Sequence, residues 1–189
     1  MKIKSTLVNA FLLVMFVILQ NCNAQENPAA GDKIYEGCCG TAPVEFPLDD
    51  KRYIYIPNVF TPNGDGINDH FMPFMRSKEL MEIQKLTVVS AVGDTVLWQM
   101  ERIHPGDDAK NYGWSGYRAD GSRYRGKFKY VMAVCAVGFN QFVSGEACSV
   151  ICEPGNKVMK SRSGCYYASQ AGPDGTLEKS KVNQEQDCF

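Results

Sequence analysis

The sequence predicts an all-β fold: an antiparallel immunoglobulin-like β-sandwich of about seven strands, followed by a disulfide-rich irregular C-terminal extension. Three observations predict it. Apolar and polar residues alternate in short runs, turn-forming residues recur about every ten residues, and no segment has helical periodicity. With 189 residues, 22% of them charged, the chain suits one domain with a leader and a tail. Its formal net charge of -1 predicts no nucleic-acid partner.

Residues 1–24 have the pattern of an export signal. Lys2 and Lys4 form a short basic region, and residues 7–19 are nearly all apolar. A run of roughly thirteen apolar residues is too short to span a bilayer as a helix. We therefore expect the protein to be exported from the cytosol.

The sequence is compatible with two alternative cleavages of this signal. Cleavage after Ala24 fits ordinary signal peptidase and leaves Gln25 as the new N-terminus. Alternatively, the sequence before Cys22 is similar to a lipobox, and lipidation of Cys22 would tether the protein to a membrane. The ordinary cleavage is favoured because Asn21 occupies a position where a small residue is usual.

The segment 25–51 predicts an N-terminal arm or linker, because it contains Pro, Gly and Asn and has little periodicity. It also contains the vicinal pair Cys38 and Cys39. Eight cysteines in an exported chain of this size predict structural disulfides rather than a metal or redox site. The arm is therefore expected to be held down by disulfide bonds.

Without Cys22, seven cysteines remain, so at most three bridges can form within one chain and one thiol is left over. Cys148 and Cys152 are four residues apart on a predicted strand, about 13 Å, which is too far for them to pair. We expect at least one bridge from Cys165 or Cys188 to tie the tail, residues 153–189, to the sandwich.

The first predicted strand runs from Tyr53 to Ile56 and stops at Pro57, which cannot donate a ladder hydrogen bond. A loop rich in Gly and Asx residues follows, and the apolar run 70–74 predicts the second strand. Residues 80–90 and 95–98 predict a hairpin closed by a Gly-Asp turn. Strict alternation predicts two faces for the first strand of this hairpin. One face would have Ile83, Lys85, Thr87 and Val89, and the opposite face would have Gln84, Leu86 and Val88.

The second half of the sandwich begins after a predicted loop at residues 104–113. Residues 126–137 predict the longest strand, with apolar side chains at a period of two, and residues 141–152 predict the closing strand. The side chains expected to share one buried face of the long strand are Phe128, Tyr130, Met132 and Val134. Trp114, which lies between these elements, is predicted to fill the core edge rather than to stack on a ligand.

The Asx/Gly loop offers a candidate calcium site. Asn63, Asp65 and Asp69 place oxygen atoms at alternating positions, as calcium loops do. An EF-hand also needs Gly at the sixth position and Glu at the twelfth, where this sequence has Asn68 and Phe74. The favoured interpretation is therefore a turn that satisfies its own backbone, with no cofactor, and calcium stays as the alternative.

No nucleotide-binding, zinc-protease or serine-hydrolase motif occurs in the sequence. The two histidines, His70 and His104, have no cysteine or carboxylate neighbours at metal-ligand spacing. These observations favour a non-catalytic protein over an enzyme.

Three motifs in order resemble the gliding motility-associated C-terminal domain, the type B sorting domain of the type IX secretion system. They are the block I-P-N-x-F-T-P-N-G-D-G-I-N-D-x-F, then G-W-S-G at residues 113–116, then G-K-F-K-Y-V at residues 126–131. The resemblance covers residues 52–152. Its signature residues here are Pro57, Asn58, Phe60, Pro62, Asn63, Gly64, Asp65, Gly66, Asn68, Asp69, Phe71, Gly113, Trp114 and Gly116.

The resemblance implies a non-catalytic module that is recognised by the type IX machinery and directs secretion or attachment at the cell surface. The partners it implies are that machinery and components of the cell envelope, with a membrane only if Cys22 is lipidated. The sequence departs from the family at its end, because residues 153–189 continue beyond the point where the family's domain normally finishes. The alternative is a lipid-anchored or periplasmic structural or binding protein that reuses the same module.

Overall fold

The computed structural model describes residues 33–40, 45–50, 52–75, 81–153, 158–159, 163–185 and 188. The predicted export signal, its cleavage and the lipidation of Cys22 lie outside these residues. Within them, no helix is both long enough and apolar enough to cross a membrane.

The described residues form two sheets, and the predicted all-β sandwich is confirmed. The first sheet has three short strands in the order β1-β2-β4, which are β1 (Glu45–Pro47), β2 (Tyr53–Tyr55) and β4 (Phe74–Met75). The second has five strands in the order β3-β8-β7-β5-β6, which are β3 (Val59–Phe60), β8 (Phe139–Ser149), β7 (Gly126–Ala136), β5 (Met81–Ser90) and β6 (Val96–Ile103). Apolar side chains from both sheets pack into one core.

The prediction of a wholly antiparallel sandwich is wrong at one pair. β3 runs parallel to β8, with Val59 opposite Cys148, whereas the other strand pairs are antiparallel. Only residues 56–58 separate β2 from β3, so the chain passes from the first sheet to the second within three residues. β3 therefore lies beside β8, the last described strand in the sequence.

β7 follows the predicted alternation closely. Every second side chain from Phe128 to Val134 is at most 3% exposed, and the residues between them face outwards. The inward side chains meet aromatic rings from other elements, as in the edge-to-face contact between Phe128 and Phe71 at 4.8 Å. This strand is the centre of the core.

Strict alternation is wrong for β5. Ile83 is buried together with Leu86 and Val88, because an irregularity lies between Ile83 and Lys85 in the pairing with β7. The extra residue, Gln84, is exposed. Because this β-bulge adds one residue to β5, the alternation of inward and outward side chains shifts by one position across it. Ile83 therefore faces the core on the same side as Leu86 and Val88.

Two predicted segments differ in detail. The loop 104–113 contains a one-turn helix, α1 (Ala109–Tyr112), whose N-terminus is capped by the side chain of Asp108. The run 70–74 is not one strand, because Pro73 lacks a backbone donor. Phe71 instead forms an isolated bridge with Trp114, and β4 pairs with β2 in the three-stranded sheet.

Three disulfides connect the arm, the sandwich and the tail. They are Cys38–Cys148, Cys39–Cys165 and Cys152–Cys188. Cys135 is free and half-buried. The predictions that Cys148 and Cys152 do not pair with each other and that the tail is bridged through Cys165 or Cys188 are confirmed. Such bridges are typical of an oxidising extracellular or periplasmic environment.

A second, smaller core lies where these three parts meet. It includes Tyr35 of the arm, Val59 and Val150 at the edge of the sandwich, and Val158 and Tyr167 of the tail. The tail makes few regular elements, of which the described part contains one 3-10 turn at Ala168–Gln170. It is held by side-chain burial, disulfides and hydrogen bonds to the sandwich rather than by strand pairing.

Candidate functional site

The motifs that carry the family resemblance meet at one end of the sandwich. Phe71 and Trp114 each donate a backbone N–H to the carbonyl oxygen of the other, at 2.9 Å in both directions. A Cβ atom at Gly113 would lie 2.5 Å from the carbonyl oxygen of Ala109 and 3.0 Å from the Cβ of His70. The approach of the two motifs therefore requires glycine at position 113.

Trp114 fills the core at this junction, as predicted. Its side chain is 1% exposed, and its ring centroid lies 5.5 Å from that of Phe60 and 5.1 Å from that of Phe128. The indole Nε1–H donates to the carbonyl oxygen of Tyr117 at 2.9 Å, which satisfies the one polar atom of the ring. Trp114 is thus not a ligand-stacking surface residue.

The Asx/Gly loop bonds to its own backbone. Oδ1 of Asp69 accepts from the N–H of Gly64, and Oδ2 from the N–H of Gly66, both at 2.7 Å. Asp65 and Asn63 each accept, through Oδ1, from the amide two residues later. The predicted calcium ligands therefore lie in one loop, and their oxygens hold backbone amides. This agrees with the favoured interpretation of the loop, and calcium binding stays a prediction.

The tail lies on signature residue Asn58. Its backbone N–H donates to the carbonyl oxygen of Tyr166 at 3.1 Å, and its Oδ1 accepts from the N–H of Tyr166 at 2.8 Å. Its Nδ2 donates to the carbonyl oxygen of Gly164 at 2.7 Å. Asn58 is only 2% exposed as a result. One signature residue therefore holds three backbone groups of the tail, two through its side chain and one through its own N–H.

Asn68, another signature residue, holds a second part of the tail. Its Oδ1 accepts from the N–H of Ser169 at 2.9 Å, and its Nδ2 donates to the carbonyl oxygen of Asn183 and to Oε1 of Glu185, both at 3.0 Å. The same Glu185 oxygen accepts from the hydroxyl of Thr61. Asn68 has a φ of 51°, a conformation that asparagine tolerates better than most residues.

Two titratable groups at this contact are shifted towards their neutral forms. Burial raises the pKa of the Glu185 carboxyl, against the opposing hydrogen bonds from Thr61 and Asn68. Burial, and then the charge of Glu45, raise the pKa of Tyr55 well above its ordinary range. The neutral Tyr55 hydroxyl donates to the carbonyl oxygen of Tyr167 at 2.7 Å.

An open cleft of about 510 Å³ lies between the Asx/Gly loop and α1. Asp69, His70, Asp108 and Lys110 are among the residues that line it. Both carboxylates already bond to backbone amides, Asp69 within its loop and Asp108 at the N–H of Lys110. The acidic groups that line the cleft thus serve the local fold.

Two further sets of potential ligands occur away from the cleft. His104 lies 3.4 Å from a carboxylate oxygen of Glu82 and 3.6 Å from one of Asp107, at an exposed position that sequence spacing did not predict. In the described part of the chain, Cys152, Glu185 and Cys188 offer three ligand atoms within 4.8 Å of one another. The two sulfurs are joined in a disulfide, so they are not thiolates that could bind a metal.

Sequence reasoning did not find the tail residues of this site. The predicted bridge through Cys165 or Cys188 indicated that the tail would be fixed to the sandwich, but not where it would lie. Glu185 and Ser169 have no distinguishing motif, and the contacts at Gly164, Tyr166 and Asn183 use backbone atoms, which every residue has. No family model matches the chain, and no curated protein matches it in sequence.

Proposed function

We propose that this chain is an exported, non-catalytic surface protein whose sandwich is a sorting module for the type IX secretion machinery. One observation supports the proposal. Two motifs about 40 residues apart in sequence are joined by the Phe71–Trp114 bridge, and glycines of the second motif stand where the two motifs come closest. Motifs that depend on one another in this way support a resemblance to a family better than the same residues scattered over the fold would. The partners proposed are the secretion machinery and envelope components, and no cofactor is required.

A second candidate has a specific observation in its favour. The tail bonds to Asn58 and Asn68, two of the signature residues, and buries them. A signature that is covered by the chain's own tail is not free to contact secretion machinery. This favours a periplasmic or lipid-anchored structural or binding protein that keeps the module but not the sorting role.

Localisation separates the two candidates. An epitope tag inserted at Gly138, in the exposed β7–β8 turn, leaves both ends of the chain and the signature end untouched. The tagged protein would be followed to the cell surface in a bacterium with the type IX system and in a strain lacking it. A reporter carrying only residues 1–24 is the control for export across the inner membrane.

The sorting proposal predicts surface delivery only when the type IX system is present, and a reporter that stays in the periplasm in both strains. Retention of the full chain in the periplasm of both strains would exclude it and favour the second candidate.

Deletion of residues 153–189 tests whether the tail masks the signature residues. If the tail masks the signature, its removal will increase surface delivery in the strain that has the machinery.

A further inference from the structure

We propose that the surface beneath the tail is a peptide-binding groove for an extended segment of another polypeptide, and that the tail occupies it within the same chain. The groove is lined by Tyr55, Asn58, Val59, Thr61, Asn68 and Val150. We name it the tail groove. The proposal goes beyond sorting, because it concerns what the groove binds, wherever the protein is delivered.

The tail groove recognises main-chain atoms. Asn58 uses its side-chain amide and carbonyl, together with its own N–H, to bond the backbone at Gly164 and Tyr166. These bonds resemble the exchange of N–H and C=O groups between neighbouring strands, and a peptide added to a sheet edge is bound in the same manner. A ligand of this site must therefore be extended where it passes Asn58.

Apart from the bonds of Asn68 and Thr61 to the side-chain carboxylate of Glu185, the remaining polar contacts of these groove residues follow the same rule. Tyr55 donates to the carbonyl oxygen of Tyr167, and Asn68 contacts the N–H of Ser169 and the carbonyl oxygen of Asn183. Each of these partners is a backbone group. The groove consequently places little restriction on the ligand's side chains at these positions.

One side chain of the occupant is specified. Tyr167 is fully buried in the second core, against a cluster that includes Val59, Cys148 and Val150. Buried aromatic anchors of this kind contribute most of the affinity in peptide and protein interfaces. We therefore assign the ligand as an extended segment with an aromatic side chain that follows directly after the residue held by Asn58.

The Cys39–Cys165 disulfide is one of two bridges that tie the tail to the rest of the chain, the other being Cys152–Cys188, and it offers a way to release the segment bound at Asn58. Cys39 is partly exposed, whereas Cys165 is 4% exposed, so an external thiolate reaches the Cys39 sulfur first. Attack by one thiolate of an envelope dithiol forms a mixed disulfide at Cys39, and Cys165 leaves as a thiolate and takes up a proton. The second thiol then resolves the mixed disulfide, leaving Cys39 reduced and the dithiol oxidised.

The test uses the full mature chain and a labelled peptide that has the tail sequence 163–170 with serine in place of Cys165. The opened variant combines Cys39→Ser and Cys165→Ser with Tyr167→Ala. The segment bound at Asn58 thereby loses its bridge and its anchor, while the Cys152–Cys188 bridge and the groove residues stay intact. Limited proteolysis reports whether the tail has left, and fluorescence anisotropy reports peptide binding. Asn140→Ala, at an exposed position in the β7–β8 hairpin, is the matched control for Asn58→Ala.

We expect the opened variant to have a protease-sensitive tail and to bind the peptide at least about tenfold more tightly than the oxidised wild type. Asn58→Ala in that background should weaken binding about tenfold, as should alanine at the peptide's anchor tyrosine, and Asn140→Ala should have no effect. The proposal is overturned if the released variant does not bind the peptide, or if the tail stays protected without its bridge and anchor. Concentration-dependent dimers without peptide binding would also overturn it, since the occupant would then be a second copy of this chain.

Discussion

Gly116 and Gly121 have the same backbone φ of 80° but different surroundings. A Cβ atom at Gly116 would lie 2.7 Å from Cγ of Pro62, whereas at Gly121 nothing lies within 4 Å. We expect Gly121→Ala to cost about 1 kcal/mol of stability, the strain of positive φ alone. Gly116→Ala should cost about 1–3 kcal/mol more, because it also forces the two signature motifs apart. Chemical denaturation of both variants measures the difference, and equal losses would show that the motifs do not depend on this approach.

Glu185 makes the stability of the tail contact dependent on pH. Because the folded-state pKa of Glu185 is raised above the unfolded value, the folded state binds more protons between the two values. The unfolding free energy contributed by this group therefore falls as pH rises from about 4.3 through the raised folded-state pKa. The nearby carboxylates Asp65 and Asp69 add to the shift, since they repel the charged form.

Glu185→Gln removes this titration and keeps an oxygen to accept from Thr61 and Asn68. The variant should gain stability relative to the wild type as pH rises from about 4 to about 8. Denaturation at a series of pH values gives the difference, and Glu101→Gln, at an exposed position on β6, is the control substitution. A difference that does not change with pH would contradict the role assigned to Glu185.

At the level of elements, β5 and β6 carry matching irregularities. Gln84 is the extra residue of β5, and opposite it on β6 is Arg102, which has a φ of 57°. Ile83 and Ile103, the next pair along the two strands, both face the core with 0% exposure. The two irregularities together keep these isoleucines inside.

Deletion of Gln84 alone should therefore be damaging, because β5 and β6 would no longer bend together and one isoleucine would turn outwards. The loss should be about 2–3 kcal/mol, the contribution of one buried isoleucine side chain. Deletion of both Gln84 and Arg102 should recover most of it, since the regular alternation then places Ile83 and Ile103 inwards again. Thermal unfolding of the two deletion variants compares them, and equal instability would show that the bulges are independent.

The strands differ in how well the sequence predicts them, for a physical reason. β7 was predicted almost to its ends because its pattern is uninterrupted and one face is buried along its whole length. The position of β5 was predicted, but not which of its side chains face the core. One extra residue such as Gln84 cannot be recognised from composition. The parallel β3–β8 pair and the contacts of Asn58 were not predicted, since both depend on which distant segments meet. Their partners contribute backbone atoms that carry no sequence signal.

At the level of the whole molecule, two separate hydrophobic cores contribute to stability. Among the described residues, the main core lies between the sheets and includes none from the tail, whereas the second core includes Val158 and Tyr167. A chain of residues 25–152, with serine at Cys39 and Cys152, should keep its fold and its buried Trp114. It should be less stable than the full chain and should bind a hydrophobic dye, because Val59 and Val150 become exposed. Near-ultraviolet circular dichroism tests the fold, and its loss would show that the sandwich depends on the tail.

The vicinal cysteines have a consequence for the order of assembly. Cys38 and Cys39 pair with residues 110 and 126 positions further along the chain, so neither bridge can close before the chain has been made as far as Cys148. Adjacent thiols with two distant partners also allow an exchanged isomer of identical mass, Cys38 with Cys165 and Cys39 with Cys148. Only a sandwich that has already folded distinguishes the two arrangements, by presenting Cys148 at the end of β8. A disulfide isomerase therefore suits this topology better than a fast oxidant, and the arm, which emerges early, is among the last parts to be fixed.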